Sequence, residues 1–211
     1  MGKAALKSRA GKRTAPKEER QHQLIQATIR SVAKNGMSDT TMATVSSEAG
    51  LSQGIINLHF QSKDRLLVET LRFLSEQYRE AWEKAVSKAG DDPAERLAAM
   101  VAMDFKAPVC DRNKLAVWFA FWGETKSRPT YRKICAMRDM EYRAELLQAC
   151  RDLVEQGGYE HLDAESVAAS LSAMTSGLWL DLLTNPRSMS KDHARQVCMS
   201  YLAITFPRHF P

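Results

Sequence analysis

Wherever this chain shows a regular hydrophobic pattern its period is that of an α-helix, and no run sustains strand alternation between turn signals. Apolar side chains recurring every three to four residues gather on one stripe of a helix. Such a chain buries itself only by packing helix on helix, so the expected fold class is all-α. Capping residues mark the boundaries. A first helix is expected from about Lys17 to Asn35, with Ile25, Ile29, Val32 and Ala33 inward and Gly36 as its end. A long helix from Lys63 to about Lys88 carries Leu67, Leu71, Leu74, Tyr78 and Trp82 on one stripe. Asp92-Pro93-Ala94-Glu95 sets a capping Asp before a Pro at the first helical position, with Glu where a capping box needs it. Leu97, Met100, Val101 and Phe105 form the buried side of that helix. Asp111 caps another, Pro129 opens one that Gly157-Gly158 ends, Asp163 opens one running to Asn185-Pro186, and Ser190 opens the last, to about Phe206.

The stretch from Thr40 to Leu67, TTMATVSSEAGLSQGIINLHFQSKDRLL, reads as two short helices around a Gly-centred turn, the outline of a helix-turn-helix that reads DNA. Met42, Val45 and Ala49 share one inward face of the first, and Gly50 supplies the backbone freedom of the turn. Ser52 is expected to cap the second. There Leu51, Ile55 and Leu58 are assigned inward and Ser52, Gln53 and Asn57 outward, with Gly54 leaving room between them. An outward face of amides and hydroxyls can hydrogen-bond base edges in a major groove without burying a full charge. Phe60 closes the motif, and Ser62-Lys63-Asp64 opens the next helix, whose free backbone N–H groups together with Lys63 can meet a phosphate.

Charge separates the two ends of the chain. Residues 1–65 hold eleven Lys or Arg against five Asp or Glu, whereas the remainder holds nineteen against twenty, so the net charge of +5 sits at the DNA end. Lys3, Lys7, Arg9, Lys12, Arg13 and Lys17 form a basic lead without hydrophobic periodicity, either a phosphate-tracking arm or a solubilising tail.

Two features of the body stand out. Ser166, Ala168, Ala169, Ser170, Ser172, Ala173, Ser176 and Gly177 keep one helix thin, so that another helix can approach closely. In AVWFAFW, Trp118, Phe119, Phe121 and Trp122 crowd one helix, and Trp179 follows in GLWL. Aromatic stripes pack cores, but Trp118 and Trp122 lie one turn apart on one face, extended sideways by Phe121. Rings set this way attract a cation at about 0.5 to 2 kcal/mol each, which suits a quaternary ammonium.

On Thr40, Thr41, Ala49, Gly50, Ser52, Gly54, His59, Phe60, Ser62 and Lys63 the segment resembles the DNA-binding domain of TetR-family regulators. The run AVWFAFW, the preceding Asp104-Phe105, the later GLWL and Gly54-Ile55-Ile56 resemble, within that family, the choline-responsive BetI-type repressors of glycine betaine synthesis. The likeness begins near Gln21 and leaves out the basic lead. The arm before the helices (1–16), basic and expected to be disordered, is read from its charge and lack of periodicity alone. The likeness implies about nine helices, in a three-helix DNA-binding domain (17–62) and a helical ligand-binding and dimerisation domain (63–211). It implies double-stranded operator DNA, choline or a related effector, and a second copy of the chain as partners. Thr40, Thr41, Ser52, Gln53, Gly54, Asn57, His59 and Lys63 are the expected DNA-binding set. Asn57 departs from the family, standing where many members carry a Tyr that touches the DNA backbone. For the ligand the expected set is Asp104, Phe105, Trp118, Phe121, Trp122, Tyr142 and Trp179, with Glu141 and Asp181 as reserve anions.

Other classes find less support. His22, His59, His161, His193 and His209 are isolated, and neither His-Glu-x-x-His, a nucleophile elbow nor a Gly-rich phosphate loop occurs, so no catalytic residues are assigned. Cys110, Cys135, Cys150 and Cys198 are scattered without ligand spacing, so no metal or cofactor is expected and the thiols read as reduced and structural. No run approaches the roughly 18 uninterrupted apolar residues of a membrane span, and the N-terminus lacks a signal peptide's apolar core, so the expected location is cytoplasmic. Two alternatives stay open: a regulator of an efflux pump that senses lipophilic cations, and a helical interaction module without DNA binding.

Overall fold

The computed structural model describes residues 17–211, and the described residues form nine helices and no strand. They are α1 (Lys17–Asp39), α2 (Met42–Ala49), α3 (Gln53–Phe60), α4 (Lys63–Ala89), α5 (Pro93–Asp104), α6 (Arg112–Glu124), α7 (Pro129–Gly157), α8 (Ala164–Thr184) and α9 (Lys191–Thr205). The basic lead expected over residues 1–16 lies outside the described residues.

The three N-terminal helices pack on one another around Leu24, Ile29, Val32, Val45, Ile56 and Phe60. Regular α1 geometry breaks at Gly36 (φ 80°, ψ 172°), where the sequence ends the helix. Gly50 (φ 65°, ψ 31°) closes α2 in the left-handed region that a side chain would strain. Thr41 caps α2 in a reciprocal pair with Thr44, so a hydroxyl does the work usually given to Glu or Gln. Elsewhere Asp92, Asp111, Asp163 and Ser190 cap α5, α6, α8 and α9 as expected. Asp92 bonds the Ala94 amide.

The body wraps α4 with α5 and α7, sets α8 against α6 and α7, and lays α9 on α5 and α8. The N-terminal unit and the body are joined by continuous α4 and by α1 lying along α6. At 21 residues and a mean hydropathy of 1.2, α8 is long and apolar enough by composition to cross a membrane. Here Val167, Leu171, Leu178 and Trp179 bury it against neighbouring helices. The four cysteines are free and buried. Burial pushes the Cys135 and Cys198 thiols up to about 11 and Cys150 to about 12, which keeps them protonated and unreactive.

Candidate functional site

The outward face of α3 carries Ser52, Gln53, Gly54 and Asn57, all exposed, with exposed Thr41 at the start of α2. Ser52 has the extended backbone of a cap (φ −75°, ψ 151°) but its hydroxyl makes no capping bond, which leaves it free toward solvent. Gly54 has no intramolecular reason to be glycine. A Cβ there would meet only Ser52 Oγ, at an ordinary 3.8 Å. His59 is half-buried in the last turn of α3, and its Nδ1 has no hydrogen-bond partner among the described residues.

Three assignments change here. Thr40 is 1% exposed, and its hydroxyl donates to the Gly36 carbonyl at 2.8 Å and lies 3.3 Å from Ser31 Oγ. It ties α1 to α2 and is not available to DNA. Lys63 donates to the carbonyls of Met37 and Ser38 at 2.9 and 3.1 Å, fastening the start of α4 to the end of α1. An ammonium has three donors, so one remains for a phosphate. Leu58, assigned inward, is 78% exposed, because Ile56 and Phe60 set the phase of α3 and place position 58 opposite them.

In the body, four helices meet at Asp104, the last residue of α5. Its carboxylate is fully buried and accepts hydrogen bonds from Tyr78 Oη of α4 at 2.8 Å and from Tyr142 Oη of α7. Trp179 of α8 donates its indole N–H to the Asp104 carbonyl at 2.9 Å. Burial raises the Asp104 carboxyl to about 6, against the opposing pull of the two tyrosine hydroxyls and of Arg138. Burial and then the charge of Asp104 hold both tyrosine hydroxyls protonated, well above their ordinary value. The ring of Tyr78 lies 5.3 Å from that of Tyr142 and meets Trp179 edge-on at 5.9 Å. Trp118 and Trp122 of α6 complete the wall, 6.2 Å apart.

These rings already surround a positive charge. The Arg138 guanidinium carbon lies 4.5 Å from the Trp118 ring centre, 4.8 Å from Tyr78 and 5.4 Å from Trp122, all within cation–π range. A cavity of about 40 Å³ beside it is lined by Tyr78, Trp122, Arg138, Tyr142, Thr175 and Trp179, among others. A larger groove of about 860 Å³ between α4, α5 and α9 is walled by alanines and charged side chains and carries no aromatic ring, so it does not suit a quaternary ammonium.

The structure thus brings Asp104, Trp118, Trp122, Tyr142 and Trp179 together. Phe105 and Phe121 lie behind them: both are buried, neither lines the cavity, and Phe121 packs edge-on against Tyr131. Glu141 is exposed and Asp181 bonds Asn185, so neither reserve anion reaches the rings. Sequence reasoning missed Tyr78 as a wall and Arg138 altogether. The spacing of Arg138 and Tyr142, four apart on one helix, was the available signal.

A small helix-turn-helix unit fused to a helical body with a buried aromatic site defines a ligand-responsive DNA-binding regulator. Residues 24–70 match the family model of bacterial regulatory proteins of the tetR family, and residues 93–207 match that of the BetI-type transcriptional repressor C-terminal domain. The chain belongs to the TetR family, in its BetI-type branch of transcriptional repressors. It is 30% identical over 183 residues to the HTH-type transcriptional regulator BetI of Stenotrophomonas maltophilia, covering 87% of this chain and 91% of that one. It is 28% identical over 183 residues to BetI 1 of Chromohalobacter salexigens, covering 87% and 88%. Among solved structures, one described as a transcriptional regulator from Pseudomonas aeruginosa PAO1 superposes with a TM-score of 0.79 at 31% identity, over 93% of this chain and 96% of the other. Another, from Saccharomonospora viridis and in complex with choline, gives 0.76 at 27% identity, over 88% and 96%.

Proposed function

We propose that this repressor works in the cytoplasm as a homodimer that leaves its operator when choline or a related quaternary ammonium compound enters the aromatic site. The observation that carries the reading is the set of three rings, from Trp118, Trp122 and Tyr78, placed around a cation at 4.5 to 5.4 Å. Rings so placed stabilise a positive charge that water would otherwise solvate, at about 0.5 to 2 kcal/mol each. Trp179 and Tyr142 close the sides, and Asp104 orients both tyrosines while its charge balances the cation. The choline held by the Saccharomonospora viridis protein supports the ligand class.

The unit over residues 17–62 engages DNA through Thr41, Ser52, Gln53, Gly54, Asn57, His59 and the spare donor of Lys63. Two such units are needed for two half-sites a helical turn or more apart. The dimer seam is the exposed small-residue stripe of α8, Ser166, Ser170, Ala173 and Gly177, continued by Leu180 and by Ile204 of α9. Release follows if the ligand binds better to the form whose reading helices are wrongly spaced, since equal affinity for both forms shifts nothing. Titration with choline, glycine betaine, carnitine and a bulky cationic dye, read by tryptophan fluorescence and operator binding, tests the reading. A quaternary ammonium compound is expected to change both signals. If the dye alone does so, the protein is a sensor of lipophilic cations instead.

A further inference from the structure

Arg138 stands where the quaternary ammonium group is proposed to bind. Its side chain is 9% exposed, and its guanidinium carbon lies 4.5 to 5.4 Å from the centres of the Trp118, Tyr78 and Trp122 rings. The space beside it, about 40 Å³, holds about three waters at roughly 10 to 15 Å³ each. A trimethylammonium group is too bulky to share that space with the guanidinium. One cation or the other faces the rings.

Two features leave the guanidinium open to displacement. Its Nη1 is buried with no hydrogen-bond partner among the described residues, so the rings satisfy its charge while one of its donors stays unmet. A quaternary ammonium has no N–H and leaves no donor unpaired in the same place. The second feature is Asp139, the next residue of α7, whose carboxylate accepts from Arg138 Nε at 2.9 Å and from Nη2. The Asp139 side chain is 37% exposed. It therefore gives the guanidinium an acceptor at the edge of the site, where Nη1 can reach water.

We infer that Arg138 is a built-in competitor of the effector: its guanidinium fills the aromatic seat in the ligand-free protein, and a free cation binds by pushing it off the rings toward Asp139 and solvent. The inference rests on the quaternary ammonium reading above and deepens it. Apparent affinity is the intrinsic affinity reduced by the fraction of molecules whose seat is clear, so a guanidinium seated about nine-tenths of the time weakens the effector about tenfold. Arg138 thus sets the concentration at which the protein responds.

Calorimetric titration of the full chain with choline and with tetramethylammonium tests this. Arg138→Ala clears the seat, and Arg138→Gln keeps much of the length without the charge. Both are expected to bind each cation more tightly than the unaltered protein does, Arg138→Ala by at least tenfold. Arg138→Lys returns a cation and should bring both affinities back to within about threefold of the unaltered protein. Equal or weaker binding by both uncharged variants would make Arg138 a wall of the site, and an Arg138→Lys variant as tight as Arg138→Ala would show that a cation on α7 does not compete for the rings. Either result overturns the inference. Binding of neither cation by any of the four proteins would instead remove the quaternary ammonium reading on which it rests.

Discussion

At Gly54 and Asp104, single residues carry out of proportion to their size. Gly54 lies in a helix, needs no unusual backbone angle and has space for a methyl group. Gly54→Ala is therefore expected to stabilise the fold by up to about 1 kcal/mol, as alanine does in helices. The same methyl stands on the exposed face of α3 proposed to meet DNA and should weaken operator binding. Urea unfolding and a gel-shift titration separate the two effects; a variant at least as stable that keeps full operator affinity would place Gly54 away from the DNA. Asp104 has its carboxyl raised to about 6 from an ordinary 3.8. The folded state thus holds the proton more tightly than the unfolded chain, and this contribution to stability is complete below about 4 and lost as pH rises through about 6. Its size is on the order of 3 kcal/mol. Asp104→Asn should remove that slope, seen by comparing unfolding of the two proteins between pH 4 and 7. For the ligand the sign is opposite, since the ionised carboxylate favours a cation. Affinity for choline should fall as pH is lowered through about 6, and Asp104→Asn should flatten that dependence.

Among the helices, α4 and α7 both run from the aromatic site toward the N-terminal unit. Tyr78 of α4 stands fifteen positions from Lys63, roughly 22 Å of rigid helix at 1.5 Å per residue, with no joint between them. At the other end Lys63 holds the carbonyls of Met37 and Ser38, so a tilt of α4 is passed to α1 and α2. The link from α7 is thinner: Arg128 pairs with Asp64 at 3.1 Å, with side chains 47% and 69% exposed. Exposed pairs of this kind contribute about 0 to 1 kcal/mol. Arg128→Ala should leave thermal stability and ligand-driven operator release nearly unchanged. Lys63→Ala should reduce release and lower stability, because it removes the clamp. Release lost in Arg128→Ala but kept in Lys63→Ala would move the coupling to α7.

For the whole molecule the question is how two copies meet. Gly177 lies on the exposed stripe of α8, and a Cβ there meets nothing within 4 Å in its own chain. Gly177→Arg should therefore keep the helical fold by circular dichroism, sediment as a monomer in the ultracentrifuge and lose operator binding. A dimer with normal operator affinity would take the seam off α8.

Periodicity and caps determined the all-α class and nearly every helix boundary, because amphipathic stripes and capping bonds are made within a few residues of one another. The helix-turn-helix was found the same way, through Gly50 and the outward polar face of Gln53 and Asn57. The phase of α3 was not, since Leu58 and Ile56 are both apolar and only packing against α1 and α2 selects which is buried. Thr40 was misplaced and Lys63 has a second task for a related reason: a hydroxyl or an ammonium suits a phosphate and a carbonyl equally, and the tertiary fold supplied the carbonyls first. The aromatic residues of α6 could be named from the sequence. That they enclose Arg138 from α7, with Tyr78 from α4, depends on residues up to sixty positions apart meeting, which no local pattern records. Only the tertiary structure could decide it, because cation–π contact and charge balance are properties of distance in space and not of spacing along the chain.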